Sequence, residues 1–294
     1  MADIAVPAGY RIEPVATALT FPAGVAFDDI GQVYVVEAGY SYGETWTTPR
    51  LLRIAPDRPP SVIAPGGRNG PWNGVTFHQG AFYVAEGGEL EGGRILRIDL
   101  HGSVTPLVEG LPSLGDHHTD GPVIGPDGFL YFGQGTAANS AVVGEDNAKF
   151  GWLARHPSFH DIPCKDITLA GHNFESSNPL QQDASARMTT GGFVAFGTPT
   201  SSGQVIRGQV PCNGAILRLS LHGGPLEVVA WGFRNPFGLA FAPDGRLYVA
   251  ENGYDERGTA LYVVDFGVMT MTSKGPAPQP DTGVLWRITQ EGRP

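Results

Sequence analysis

Apolar and polar positions alternate along this chain in short runs, and the runs recur as a phrase. Gly24-Val25-Ala26-Phe27, the polar turn Asp28-Asp29-Ile30-Gly31-Gln32, and Val33-Tyr34-Val35-Val36-Glu37 read as strand, tight turn and strand. The phrase returns as Gly74-Val75-Thr76-Phe77 with Phe82-Tyr83-Val84-Ala85-Glu86, and as Gly121-Pro122-Val123-Ile124 with Phe129-Leu130-Tyr131-Phe132. A fourth copy is Gly238-Leu239-Ala240-Phe241 with Leu247-Tyr248-Val249-Ala250-Glu251. Third strands follow in matching style as Leu51-Leu52-Arg53-Ile54, Ile95-Leu96-Arg97-Ile98, Ile216-Leu217-Arg218-Leu219 and Leu285-Trp286-Arg287-Ile288. Outer strands are expected around Val62, Val104 and Val228.

Units of about four strands recurring at roughly 40 to 50 residues predict an all-β fold, a β-propeller of about five four-stranded blades, with four to six compatible with the spacing. No long run has the 3.6-residue period, so little helix is expected. The chain reads as a single propeller domain over 1–294. The last third-strand phrase lacks an outer strand, and residues 10–15 are expected to supply it, which removes a free sheet edge.

Two stretches break the period. Between the third and fourth phrases lie roughly 100 residues, too long for one hairpin loop. They predict either a loop-rich insertion at about 134–190 or a degenerate blade around Gly192-Phe193-Val194-Ala195-Phe196. After Glu251-Asn252-Gly253-Tyr254, the run Leu261-Tyr262-Val263-Val264 looks like a second strand without a first.

Composition narrows the functional classes. Gly 42 and Pro 25 fit a fold with many tight turns. A formal net charge of -10 without a Lys/Arg cluster removes the footprint of a nucleic-acid binder and points to a small-molecule partner. No apolar stretch is long enough to span a bilayer, and the first residues lack a signal-peptide pattern. A periplasmic or secreted location is the expectation if a native signal peptide has been removed. Cys164 and Cys212 are the two cysteines; a disulfide stapling the insertion and two buried thiols are both open readings.

Candidate chemistry concentrates in Gly115-Asp116-His117-His118-Thr119-Asp120, a carboxylate and two imidazoles directly before a repeat strand. On an extended segment His117 and His118 point opposite ways, so the pair is a poor metal site. Asp-His followed by Val-Ile-Gly-Pro-Asp and a Tyr-containing strand resembles the soluble pyrroloquinoline-quinone (PQQ) glucose and sorbosone dehydrogenases. The later Gly232-Phe233-Arg234-Asn235-Pro236 is similar to that family's Arg-Asn-Pro motif.

The resemblance covers roughly residues 8–258 and reads as a shortened member. It implies that His117 is the general base, taking the proton from an aldose hydroxyl as hydride passes to the quinone. It implies further that Asp116 contacts substrate and that Arg234 and Asn235 hold PQQ, with Gln134 grouped beside them. Gln134 stands nearest to the place of a family carboxylate that orients the imidazole. Gly253 and Tyr254 fall where the family offers backbone carbonyls to Ca²⁺. The implied partners are a sugar or alcohol substrate and an external electron acceptor. The family's further cofactor-binding lysine and arginine pair find no match after Gly258.

Two other readings stand beside this one. Glu37, Glu86 and Glu251 end three second strands, where they either cap backbone amides or form a carboxylate ring like that of metal-dependent lactonase propellers. A propeller that binds a ligand without catalysis is the other, because fold alone does not supply function. His156, His160 and His172, with Asp161 and Asp166, form a diffuse group that reads as loop packing.

Overall fold

The computed structural model describes residues 4–41, 45–56, 58–149, 151–181, 186–252, 269–272, 275–278 and 283–290. Each repeat phrase forms the first two strands of one antiparallel sheet. Pro22–Phe27, Val33–Glu37, Arg50–Ile54 and Ser61–Pro65 bond in that order as the first sheet. Trp72–His78, Ala81–Glu86, Gly93–Asp99 and Val104–Leu111 make the second, and Thr119–Ile124, Phe129–Gln134, Ala215–Ser220 and Glu227–Trp231 the third. Pro236–Phe241 pairs with Leu247–Glu251 as the described part of a fourth. Tyr10–Leu19 runs antiparallel to Gly283–Gln290, so the N-terminal segment does pair with the last third-strand phrase.

The fold is an all-β propeller with almost no helix; Glu145–Ala148 and Trp152–Arg155 are the helical turns among the described residues. Its sheets pack face to face because every second strand is apolar at successive positions, which sends alternate side chains to opposite neighbours. Phe82 and Val84 meet Tyr34, Val36 and Leu51 of the first sheet. Tyr83 and Ala85 meet Leu130, Phe132 and Leu217 of the third. Tyr34 and Phe82 pack with ring centroids 4.5 Å apart and planes tilted by 56°. Each such side chain, once buried, contributes about 1.5–3 kcal/mol.

The repeat glycines mark the hub. A Cβ on Gly74 would meet Gly121 Cα at 2.9 Å, and one on Gly121 would meet the Phe237 carbonyl oxygen at 2.5 Å. All four first strands also shift register at their start, between Pro22 and Gly24, Trp72 and Val75, Asp120 and Val123, and Pro236 and Gly238. Such bulges turn a strand and re-aim the side chains beside them.

The long insertion occupies 135–214, leaving the third sheet after its second strand and returning as its third. It extends further than expected because Ala215–Ser220, not an earlier segment, bonds to Phe129–Gln134. Gly192-Phe193-Val194-Ala195-Phe196 forms turns rather than a strand, so the degenerate blade is set aside. Two short pairs, Ile167–Thr168 with Val205–Ile206 and Asn173–Ser177 with Arg187–Gly191, are its sheet content among the described residues. Trp152, Leu153, Ala138 and Val143 form its small core. Cys164 and Cys212 are joined in a disulfide, which excludes free thiols. The unpaired-strand run after Gly253 lies outside the described residues.

Candidate functional site

Thr20, Gly70, His117 and Arg234 hold one and the same place in the four repeats, four residues before the hub glycine. The chain is bonded alike there: Ala38, Gly87, Gly135 and Asn252 each donate a backbone N–H to the carbonyl of Phe21, Pro71, His118 and Asn235 respectively. Adjacent first strands thus bring the imidazole and the guanidinium to the same end of the hub by repeat symmetry. Thr136 ties them together. Its backbone N–H donates to the Arg234 carbonyl at 2.9 Å, and its hydroxyl to the same oxygen at 3.1 Å.

His117 lies in a segment that lengthens the ladder of the third sheet, its N–H donating to Thr136 O at 3.1 Å. Its side chain is 6% exposed. Nδ1 sits 2.9 Å from the Thr136 carbonyl oxygen and 3.0 Å from Thr136 Oγ1. A carbonyl only accepts, so Nδ1 carries the hydrogen and Nε2 the lone pair. Burial, and after it the Arg234 charge, lowers the imidazole to about 3. His118 packs elsewhere: a Cβ on Gly87 of the second sheet would meet its Cβ at 2.9 Å, while one on Gly135 would meet the His117 Cβ at 2.4 Å. Burial lowers His118 to about 4.

Asp116 faces the insertion. Its Oδ1 accepts from Trp152 Nε1 at 2.6 Å and its Oδ2 from Asn147 Nδ2 at 2.8 Å. Burial raises the carboxyl to about 6, against the pull of those two donors. Arg234 is half-buried; its Nε donates to Asn139 Oδ1 at 2.9 Å, and its Nη1 to the Asn252 carbonyl at 3.0 Å. Its backbone N–H donates to Glu251. Asn235 is buried, and its Oδ1 has no hydrogen-bond partner among the described residues.

Gln134, expected beside the cofactor, has its amide committed to protein partners. It is fully buried, accepts from Thr119 Oγ1 at 2.8 Å and donates to the Pro112 carbonyl at 2.9 Å. Its place in the repeat is that of Glu37 and Glu86, which face Arg50 and Arg94 across the sheet, whereas Gln134 faces Ala215. Carboxylate and guanidinium are thus replaced together, so no charge is left buried alone. The orienter of His117 is Thr136, two positions further on.

Glu37 accepts from Thr20 N–H at 2.7 Å and pairs with Arg50; Glu86 accepts from Trp72 Nε1 and pairs with Arg94. Glu37 and Glu86 thus cap and pair within their own sheets, and Glu251 accepts from the Arg234 backbone N–H. No group of three or more His, Cys, Asp or Glu side chains converges among the described residues. Gly253 and Tyr254, the expected Ca²⁺ contacts, lie outside them. No helix among the described residues is long and apolar enough to cross a membrane.

One carboxylate that read as loop packing bears on the site. Asp161 is 1% exposed and accepts the N–H groups of Ala137 at 2.7 Å and Ala138 at 3.2 Å. Burial raises it to about 7. Two hollows lie elsewhere, about 380 Å³ beside Arg68, Trp72 and Arg94, and about 340 Å³ beside Arg155, His156 and Gln209.

Antiparallel sheets set around a hub, with His117 and Arg234 brought to one end of it, define a β-propeller protein. No family model and no curated protein matches the chain. Among solved structures it is similar to the PQQ-bound aldose sugar dehydrogenase of Streptomyces coelicolor, at 19% identity over 85% of this chain and 63% of that one, with a TM-score of 0.44. It is also similar to a gluconolactonase of Xanthomonas campestris, at 17% identity over 84% of this chain and 59% of that one, TM-score 0.46. An oxidoreductase (glucose dehydrogenase) of Thermus thermophilus aligns at 17% identity over 96% and 100% of the two chains, TM-score 0.39. The chain thus spans less than two thirds of the first and second of these. Likeness this loose assigns no reaction to it.

Proposed function

We propose that this propeller is a quinone-dependent dehydrogenase that oxidises an aldose or related alcohol at the end of the hub where Thr136 joins His117 to Arg234. The observation that carries the reading is the pinned imidazole: Nδ1–H is fixed on the Thr136 carbonyl, and Nε2 is left as a proton acceptor beside a guanidinium. A general base must be unprotonated and present a defined lone pair, which this ring does, although its lowered pKa also makes it a weaker base than an ordinary imidazole.

The donor set fits a carboxylated quinone in part. Arg234 offers a planar cation that suits a carboxylate, whereas the unpartnered Asn235 Oδ1 is an acceptor and would need a donor from the ligand. When bound, PQQ supplies a hydride acceptor, with Ca²⁺ to polarise it. The chain's own task is the proton. His117 Nε2 takes it from the substrate hydroxyl as the carbon gives up hydride, and the Thr136 contacts hold the ring in that tautomer. Asp116, held by Trp152 and Asn147 directly before His117, is the candidate contact for a sugar hydroxyl. An external acceptor is needed to reoxidise the quinone.

A hydrolytic reading keeps one observation. Asp120 is buried at the hub with Oδ1 bonded to Asn73 Nδ2 at 2.8 Å, while Oδ2 has no hydrogen-bond partner among the described residues, a lone pair suited to a cation. Dye reduction with aldoses, measured with and without PQQ and Ca²⁺, alongside lactone hydrolysis with divalent ions alone, separates the two. Quinone-dependent dye reduction supports the dehydrogenase. Quinone-independent lactone hydrolysis contradicts it, and a folded protein with neither activity favours a binding module.

A further inference from the structure

We propose that Asp161, on the insertion, is a positioning residue that sets the geometry of the His117–Arg234 pair through residues 135–139. The importance of that pair rests on the reading of His117 as proton acceptor; the tautomer of the ring does not depend on it. Asp161 accepts two consecutive backbone N–H groups, those of Ala137 and Ala138. The residue before them, Thr136, presents both of its oxygens to His117 Nδ1. The residue after them, Asn139, presents its amide oxygen to Arg234 Nε. One carboxylate therefore fixes the short segment from which both functional side chains are held.

Asp161 is itself anchored. The neighbouring Ile162 N–H donates to Asn213 Oδ1 at 3.0 Å, and Asn213 N–H returns to the Ile162 carbonyl at 2.9 Å. Asn213 Nδ2 also donates to the carbonyls of Pro112 at 2.7 Å and Gly135 at 2.8 Å. The Cys164–Cys212 disulfide closes the same two stretches. The anchor thus runs from the disulfide through Ile162 and Asn213 to Asp161, and from there to the segment under the imidazole. A carboxylate accepting two amides in a buried place is a strong, directional tie.

The test compares the whole chain with Asp161→Asn and Asp161→Ala. Asn retains one acceptor for the Ala137 N–H; Ala retains none. Near-UV circular dichroism establishes that each variant is folded, and ring ¹⁵N–¹H correlations, assigned with a His117→Asn control, read the His117 tautomer without any need for turnover. The expected result is one Nδ1–H tautomer in the wild type, a mixture of tautomers in Asp161→Ala, and an intermediate spectrum in Asp161→Asn. If the dehydrogenase reading holds, kcat falls roughly 10- to 100-fold in Asp161→Ala with KM changed far less. If the wild type shows no turnover while the tautomer still shifts, the positioning role stands and the dehydrogenase reading falls. A folded Asp161→Ala with the wild-type His117 spectrum overturns the proposal. Where Asp161→Ala does not fold, an unchanged spectrum in folded Asp161→Asn overturns it equally, and a mixed spectrum there supports it.

Discussion

His117 carries most of the chemistry at the residue scale, and its environment makes a signed prediction about pH. An imidazole lowered to about 3 in the fold, but titrating near 6.5 when unfolded, contributes stability that is full above about pH 6.5 and lost as pH falls through that window. His118, lowered to about 4, acts in the same direction. Asp116 and Asp161, raised to about 6 and about 7, act oppositely, their contribution being present at low pH and lost as pH rises from about 4. The variant difference isolates His117: urea midpoints of His117→Asn relative to wild type are expected to improve steadily from about pH 7 to about pH 4. Parallel curves would show that the ring protonates freely in the fold. Gln134→Glu tests the exchanged pair. With Ala215 opposite, a carboxylate there has no guanidinium, and a loss of about 3–5 kcal/mol in urea unfolding is expected. Asp116, His117, Arg234 and Asn235 could be singled out in the sequence because they stand beside repeat strands in motifs that resemble those of the quinone dehydrogenases. Thr136 and Asp161 were not, because the first acts largely through its carbonyl and the second through backbone amides, and neither contact has a residue signature.

The insertion is the element that distinguishes the third sheet from the others. Its length was visible as a break in period, and its place after the second strand was one of two readings, left open because the sequence around Phe193 and Val194 resembles a strand as closely as a turn. The disulfide was equally undecided there; what decides it is that 161–164 and 212–213 lie side by side through the Ile162–Asn213 bonds. Cross-linking residues 48 apart restricts the unfolded chain, so Cys164→Ser with Cys212→Ser is expected to lower stability by about 2–4 kcal/mol. Thermal and urea unfolding of the oxidised protein, the reduced protein and the double variant check this. Equal stability of all three would mean that the Asn213 bonds alone hold the insertion down.

Across the whole molecule, the repeat was the most legible feature, because a phrase of glycine, short strand, tight turn and second strand states both local structure and packing. The glycine of each phrase has a role that only coordinates reveal, the contact between first strands at the hub. Gly121→Ala places a methyl against the Phe237 carbonyl and is expected to cost roughly 1–3 kcal/mol or more, read from thermal unfolding; an unchanged midpoint would mean that the hub strands can part freely. The shared place of His117 and Arg234 in successive repeats follows from the same alignment, so the hub's symmetry is also what assembles the site. That assembly is tested most directly by a crystal grown with PQQ and Ca²⁺. The account predicts the quinone in contact with Arg234 and Asn235, with His117 Nε2 facing its reactive ring. A quinone bound elsewhere, or a His117 that faces no ligand when the quinone is bound, would contradict it.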